Sequence, residues 1–102
     1  MFFKSKSNVL SHKEAKEIMD SRKVVILDVR TPQEYSSGHI KKAINVELRN
    51  IPKTIQSVIK DQDQEILVYC LTGARSRLAT RALGKLGYSN VSDFGGISGW
   101  PY

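Results

Sequence analysis

The chain has 102 residues, which is long enough for one domain with one core. Of these residues, 40% are hydrophobic and 25% are charged, a composition that is ordinary for a soluble protein. No apolar run approaches the roughly 20 residues of a membrane span. The sequence has no Cys/His cluster of the zinc-binding kind, so we expect no metal. A single cysteine excludes an internal disulfide, and no secretory signal is visible, so we expect a cytoplasmic protein. The net charge of +6 is explained mainly by solubility, and the alternative is that it attracts a small anion to the site. The basic residues are dispersed and have no aromatic stacking platform among them, which argues against nucleic-acid binding.

The first predicted elements are a short strand and a helix. Residues 5–9 fit a short strand at the edge of the sheet. Ser11 and Glu14 have the spacing of a capping box, which predicts a helix over residues 12–20. His12 falls in the first turn of that helix, and we expect it to be a surface residue.

A buried strand and a short helix are predicted next. Residues 24–27 form a continuous apolar run rich in β-branched side chains, typical of a strand covered on both faces. The run ends at residues 28–30, Asp-Val-Arg. Residues 31–34 then combine a capping threonine, a proline at the first helical position and a capping-box glutamate, which predicts a helix over residues 32–36.

The middle of the chain predicts a third strand, a third helix and a fourth strand. The third strand is expected over residues 43–46, and Asn50 is a candidate cap for the helix. The fourth strand covers residues 65–69 and delivers Cys70, the only cysteine, to a short loop. Four apolar residues define the buried face of the third helix by their helical spacing: Ile51, Ile55, Val58 and Ile59.

The last predicted elements are a fourth helix, over residues 76–86, and a strand over residues 90–94. Gly87 fits the left-handed position that ends the helix. The side chains expected to face inward are Leu78, Ala79, Ala82, Leu83 and Leu86. An outward stripe contains Arg77, Arg81 and Lys85. This stripe is either a solvated face or a surface that binds an acidic partner.

Strands alternate with helices along the whole chain, which predicts a three-layer α/β domain with a mostly parallel sheet flanked by helices. We assign residues 8–102 to this single domain and residues 1–7 to a tail or short edge strand. Ligands of such sheets bind outside the carboxyl ends of the strands. Residues 28–30 and Cys70 both follow such ends, so we expect these two segments to converge.

The loop after the fourth strand favours an anionic sulfur. A helix N-terminus directs peptide N–H groups and a positive dipole end toward Cys70, and such a field raises the thiolate fraction of a thiol. The alternative is a buried, inert cysteine. Four residues separate Cys70 from Arg75, whereas cysteine-dependent phosphatases use five. A loop shorter by one residue suits sulfur better than phosphate, although a small-loop phosphatase or arsenate reductase remains a third hypothesis.

A set of short motifs runs from residue 24 to residue 100: Asp28-Val29-Arg30, Glu34-Tyr35, Gly38-His39-Ile40, Ala43-Ile44-Asn45, Tyr69-Cys70, Gly73, Arg75-Ser76, Ala79, Leu83, Gly87-Tyr88, Gly95-Gly96 and Trp100. In order and spacing, these motifs resemble those of the single-domain rhodanese family. The resemblance implies a five-stranded sheet and a sulfurtransferase that needs no cofactor. Cys70 would take a sulfur from thiosulfate or a related donor and pass it, as a persulfide, to cyanide or a thiol. The alternative is a persulfide carrier or regulatory module that acts with a partner protein.

The resemblance also implies roles for the residues around Cys70. Asp28 is expected to accept hydrogen bonds from the loop or from Arg30, Glu34 to cap a helix, and His39 to be a structural hydrogen-bond partner. Arg75 would hold the sulfonate of the donor or brace the loop through a salt bridge, and the hydroxyls of Thr72 and Ser76 would bond the persulfide or cap the helix. The peptide N–H groups expected to stabilise the persulfide anion are those of Leu71, Thr72, Gly73, Ala74, Arg75 and Ser76.

Overall fold

The computed structural model describes residues 8–102, and these residues fold into a sheet covered by helices on both faces. Residues 5–7 of the predicted first strand lie outside the described part. The strands of this part are β1 (Asn8–Val9), β2 (Val25–Asp28), β3 (Ile44–Asn45), β4 (Ile66–Cys70) and β5 (Val91–Gly96). The helices are α1 (His12–Ser21), α2 (Pro32–Ser36), α3 (Ile51–Val58) and α4 (Ala74–Lys85), with a 3-10 turn at Leu48–Asn50 before α3.

The five strands form one sheet in the order β1-β5-β4-β2-β3, and every neighbouring pair is parallel. β4 is the central strand. Asp28 of β2 lies beside Tyr69 of β4, and Cys70 lies beside Gly96 of β5. The register is irregular between Val68 and Cys70, so β4 shifts against β5 where it delivers the cysteine. The predicted α/β fold with a parallel sheet is confirmed.

The alternation of side chains along β4 separates two hydrophobic layers. Ile66, Val68 and Cys70 belong to the cluster that packs against α3 and α4. Leu67 and Tyr69 belong to the cluster on the opposite face, which includes Ala15 of α1 and Phe94 of β5. A strand that is buried over its whole length reads as a continuous apolar run, which is why β4 was visible in the sequence.

Two side chains assigned to the core are instead exposed. Val58 is the last residue of α3, and the extended backbone at Ile59 brings Ile59 rather than Val58 into the core. Leu78 lies outside the buried face of α4, which is centred on Ala79 and Leu83. Asn50 precedes α3, but its side chain makes no capping hydrogen bond, because the 3-10 turn already leads the chain into the helix.

The end of α4 follows the predicted capping motif. Gly87 has a φ of 99°, in the left-handed region that glycine adopts without strain. The N–H of Tyr88 donates to the carbonyl of Leu83 at 3.0 Å, and the N–H of Gly87 donates to that of Gly84 at 3.1 Å. This pair of bonds is a Schellman motif. It fixes the chain direction between α4 and β5.

Candidate active site

The nucleophile loop, residues 70–76, joins β4 to α4. Cys70 is the last residue of β4, and its side chain is only 1% exposed. The N–H of Gly73 donates to the Sγ atom of Cys70 at 3.0 Å. The thiol therefore faces the loop peptide groups at the N-terminus of α4, where the helix dipole favours negative charge. Leu71, Thr72 and Ala74 are exposed, so the rim of the loop is open to solvent.

The C-terminal segment (residues 95–100) holds the nucleophile loop from one side. The N–H of Ile97 donates to the carbonyl of Cys70 at 3.0 Å, and the N–H of Ser98 donates to that of Leu71 at 3.2 Å. A Cβ atom on Gly96 would lie 2.0 Å from the carbonyl oxygen of Leu71. Only glycine permits this approach of two backbones. This requirement explains Gly96, and the left-handed φ of 82° explains Gly95 before it.

The helix begins inside the loop, two residues earlier than predicted. Gly73 is the N-cap residue of α4 with a φ of 114°, and α4 begins at Ala74 rather than at Ser76. Ser76 therefore does not cap the helix by accepting a hydrogen bond. Its buried hydroxyl donates to the carbonyl of Gly73 at 3.0 Å and so closes the first turn. The left-handed conformation of Gly73 lets the chain turn from strand to helix without a longer loop.

A bidentate ion pair joins α2 to the nucleophile loop. The two terminal guanidinium nitrogens of Arg75 donate to the carboxylate oxygens of Glu34 at 2.7 and 2.9 Å. Glu34 also completes the predicted capping box by accepting from the N–H of Thr31 at 2.8 Å. The hydrogen bonds from Arg75 have the largest effect and the bond from the Thr31 N–H the next largest, and they lower the pKa of Glu34 from an ordinary value of 4.5 to about 2. In this structure Arg75 braces the loop, which is one of its two expected roles.

The ion pair with Glu34 connects α2 to the loop that begins at Cys70. The pKa of Arg75 is raised, first by its hydrogen bonds to Glu34 and to a smaller extent by the charges of Glu34, Cys70 and Asp28. Segments from β2, α2 and β4 thus converge at one edge of the sheet, as the topology predicted.

A buried polar cluster lies beneath this edge. Asp28, which is fully buried, accepts hydrogen bonds from the Arg30 side chain at 2.7 to 3.1 Å and from the Arg30 N–H at 2.9 Å. Arg30 also donates to the carbonyl of Gly38 at 2.7 Å. Asn45 donates to the carbonyls of Asp28 and Arg30 at 3.0 and 2.9 Å. The pair expected between Asp28 and Arg30 is therefore present, and it locks the end of β2.

Tyr69 completes the cluster, although no role was predicted for its side chain. Its hydroxyl donates to Asp28 at 2.7 Å and accepts from the N–H of Ile40 at 3.1 Å. Burial, followed by the hydrogen bond to Asp28, raises the pKa of Tyr69, so it stays protonated as a donor. A tyrosine inside a buried and otherwise aliphatic strand could have indicated this role from the sequence, because a buried hydroxyl needs a hydrogen-bond partner.

The two histidines are both structural in this geometry. The Nδ1 atom of His39 lies 2.8 Å from the carbonyl oxygen of Tyr35, and the two rings stack at 3.7 Å. His39 therefore fixes the turn after α2. The prediction for His12 was wrong, since it is half-buried: its Nε2 atom lies 2.7 Å from the carbonyl oxygen of Gly96, and its ring contacts Trp100. His12 ties α1 to the C-terminal segment, a contact between residues 84 positions apart.

Within residues 8–102, no group of three His, Cys, Asp or Glu side chains is placed to hold a metal ion. None of the helices in the described part is long and apolar enough to cross a membrane. The groups gathered at the site are one thiol, peptide N–H groups and paired charges.

The chain is similar to known proteins in sequence and in fold. The family model for the rhodanese-like domain matches residues 11–101. Thiosulfate sulfurtransferase PspE of Escherichia coli is 34% identical over 71 residues, which cover 70% of this chain and 68% of PspE. Thiosulfate sulfurtransferase GlpE of Coxiella burnetii is 32% identical over 92 residues, which cover 89% of this chain and 84% of GlpE. A solved structure of a rhodanese with anions from E. coli has a TM-score of 0.70 at 32% identity and covers 74% of this chain and 88% of its own.

Proposed function

Because the chain belongs to the rhodanese-like domain family, we propose that it is a sulfurtransferase that carries one sulfur atom as a persulfide on Cys70. One observation carries the proposal: Cys70 is the last residue of the central strand, and its Sγ atom accepts a hydrogen bond from the N–H of Gly73, the N-cap residue of α4. A sulfur anion in this position gains a peptide donor and the positive end of a helix dipole. The relatives named thiosulfate sulfurtransferase support thiosulfate as the donor.

In the first step the Cys70 thiolate attacks the outer sulfur of thiosulfate. A bond forms between the two sulfurs, the bond between outer sulfur and sulfonate sulfur breaks, and its electron pair leaves with sulfite. In the second step the outer sulfur is taken by cyanide or a thiolate, and the electron pair of the sulfur–sulfur bond returns to Cys70. The two displacements form a ping-pong course and need no cofactor.

The backbone of the loop supports an oxyanion-hole type of stabilisation. The carbonyls of Cys70 and Leu71 are held by the C-terminal segment. A trans peptide directs its N–H opposite to its carbonyl, so the N–H groups of Leu71 and Thr72 are directed away from that segment and remain available. With the N–H of Gly73 they supply donors to a persulfide anion without a charged side chain.

The depth of the sulfur favours a small donor. Cys70 is 1% exposed at the base of the loop, so a donor reaches it end-on with its terminal atom. The outer sulfur of thiosulfate fits this requirement, and the sulfonate then lies toward the loop rim near Arg75. We assign Arg75 a share in holding the sulfonate through the side of its guanidinium that Glu34 does not occupy. Four residues between Cys70 and Arg75 make the loop smaller than the one that phosphate requires.

The decisive experiment is mass spectrometry of the intact protein after exposure to thiosulfate. We expect the wild-type protein to gain one sulfur atom, about 32 Da, and to lose it when cyanide is added. The Cys70→Ser variant keeps a similar side-chain volume and is expected to fold but to gain no mass. Circular dichroism of the variant controls for folding. Sulfur transfer by a folded Cys70→Ser protein would exclude Cys70 as the nucleophile.

A further inference from the structure

One face of α4 remains exposed along its whole length and begins at the nucleophile loop. At 3.6 residues per turn, five positions of α4 share a stripe about 100° wide. The exposed residues on this stripe are Ala74, Arg77, Leu78, Arg81 and Lys85. The residues that α4 buries against the sheet lie on the opposite side: Ser76, Ala79, Thr80 and Leu83. The stripe is about 16 Å long, since each helical residue rises 1.5 Å.

The charge of this face is not balanced by the protein itself. We call Arg77, Arg81 and Lys85 the basic stripe. Within the described part of the chain, none of them forms an ion pair, and α4 contains no acidic residue. The remaining arginines each have a carboxylate partner: Arg22, Arg30, Arg49 and Arg75. These three unpaired cations thus lie together on the helix that follows Cys70.

Arg77 lies at the end of α4 where a cation opposes the stability of the helix, whereas Lys85 lies in the last turn, where a cation favours it. Helix N-termini favour acidic side chains, and α1 and α2 carry Glu14 and Glu34 in their first turns. The first turn of α4 instead contains Arg75 and Arg77 and no acidic residue. A cation at this end costs about 0.3–1 kcal/mol at an exposed site. Such a local conflict is typical of a surface whose residues serve binding rather than folding.

Two exposed leucines give this face an apolar component. Leu71, on the rim of the loop, is 41% exposed, and Leu78, one turn along α4 from Ala74, is 52% exposed. Arg81, three residues further along α4, adjoins Leu78 on the helix surface. An apolar contact with a charged border is a common arrangement of a protein-binding surface, in which the apolar part provides contact and the charges provide orientation.

We propose that the exposed face of α4 binds an acidic protein whose thiol accepts the sulfur from Cys70. The proposal rests on the sulfurtransferase function proposed above and adds the partner of its second step. Carboxylates of the acceptor pair with the basic stripe, and apolar side chains cover Leu71 and Leu78. The acceptor thiolate then reaches the loop, attacks the outer sulfur of the persulfide and leaves with it. The electron pair of the broken sulfur–sulfur bond returns to the Sγ atom of Cys70, which becomes a thiolate.

The test measures the second step alone, with the persulfide of the whole protein prepared beforehand from thiosulfate. One acceptor is a synthetic helical peptide with four glutamates on one face and a terminal cysteine; the other carries four glutamines instead. We expect the glutamate peptide to take the sulfur about tenfold faster at low ionic strength, and this preference to fall toward unity at about 0.5 M salt. Dithiothreitol, an uncharged thiol, serves as the reference acceptor.

Charge-reversal variants distinguish an effect of the α4 surface from an effect of the net charge of the protein. The variant Arg77→Glu/Arg81→Glu/Lys85→Glu is expected to lose the preference for the glutamate peptide and to keep its rate with dithiothreitol. The control variant Lys13→Glu/Lys23→Glu/Lys60→Glu makes the same change in net charge at exposed positions outside α4 and is expected to retain the preference. Equal rates with both peptides, or equal losses in both variants, would overturn the docking proposal. Failure of the protein to load sulfur at all would instead refute the proposed function.

Discussion

The ion pair between Glu34 and Arg75 gives a prediction whose size and pH range follow from the structure. We consider Glu34→Gln, which keeps an amide oxygen for the capping box and a hydrogen bond to Arg75 but removes the negative charge. Since Glu34 joins α2 to the nucleophile loop through two bonds of 2.7 and 2.9 Å, the substitution weakens the connection without creating a cavity.

The expected loss is about 1–2 kcal/mol at pH 7. A pKa lowered from 4.5 to about 2 corresponds to roughly 3 kcal/mol of preference for the ionised carboxylate. The Glu34 and Arg75 side chains are 28% and 34% exposed, and screening by water reduces that value. The folded state lowers the pKa of Glu34, so its contribution is complete above the unfolded pKa of about 4.5. It is lost as the pH falls toward 2.

Urea unfolding of both proteins at several pH values between 7 and 2 measures this difference. We expect the wild type to be the more stable at pH 7 and the two stabilities to converge as the pH falls from about 5 to 2. Glu17→Gln is the matched control, because Glu17 is exposed on α1 and forms no ion pair within the described residues. A difference between wild type and Glu34→Gln that stays constant down to pH 2 would show that the ion pair does not stabilise the fold.

Two further substitutions test the supports of the loop. Gly96→Ala places a methyl group 2.0 Å from the carbonyl oxygen of Leu71, so we expect a loss of about 3 kcal/mol or more in thermal unfolding. Gly84→Ala, at an open helical position, should instead be neutral or stabilising by up to about 1 kcal/mol; equal effects at both glycines would contradict the close approach. Tyr69→Phe removes the donor to Asp28 and is expected to cost about 1–3 kcal/mol in urea unfolding, whereas a loss below about 0.5 kcal/mol would mean that the cluster does not need this hydroxyl.

The features predicted correctly are those that short stretches of sequence determine. The bounds of α2 agree with the prediction because Thr31, Pro32 and Glu34 act on one another within a single turn. The end of α4 agrees for the same reason, since Gly87 and Tyr88 bond to carbonyls three to five residues back. Parallel pairing followed from strands that read as continuous apolar runs. Placement of the cysteine at a carboxyl end then followed from topology alone.

The features that the sequence did not reveal depend on residues far apart in the chain. The bond between His12 and the carbonyl of Gly96 spans 84 positions, and that between Tyr69 and Asp28 spans 41. The early start of α4 depends on the left-handed Gly73, whose loop the C-terminal segment holds from outside. Helical periodicity alone placed Leu78 inward, because it does not specify which edge of the stripe the sheet covers.

The arginines near the site divide into two groups, and this division separates sulfur chemistry from recognition. Arg75 belongs to the nucleophile loop and Arg30 to the buried cluster beneath it, but Glu34 and Asp28 already neutralise them. The negative charge that we propose for the Cys70 persulfide is therefore stabilised mainly by peptide dipoles, whose direction the backbone fixes. The basic stripe lies on the solvent side of α4, where water screens it from the sulfur until a partner displaces that water. Reactivity and partner choice can then change independently, since substitutions on the outer face of α4 leave the bonds of the loop intact.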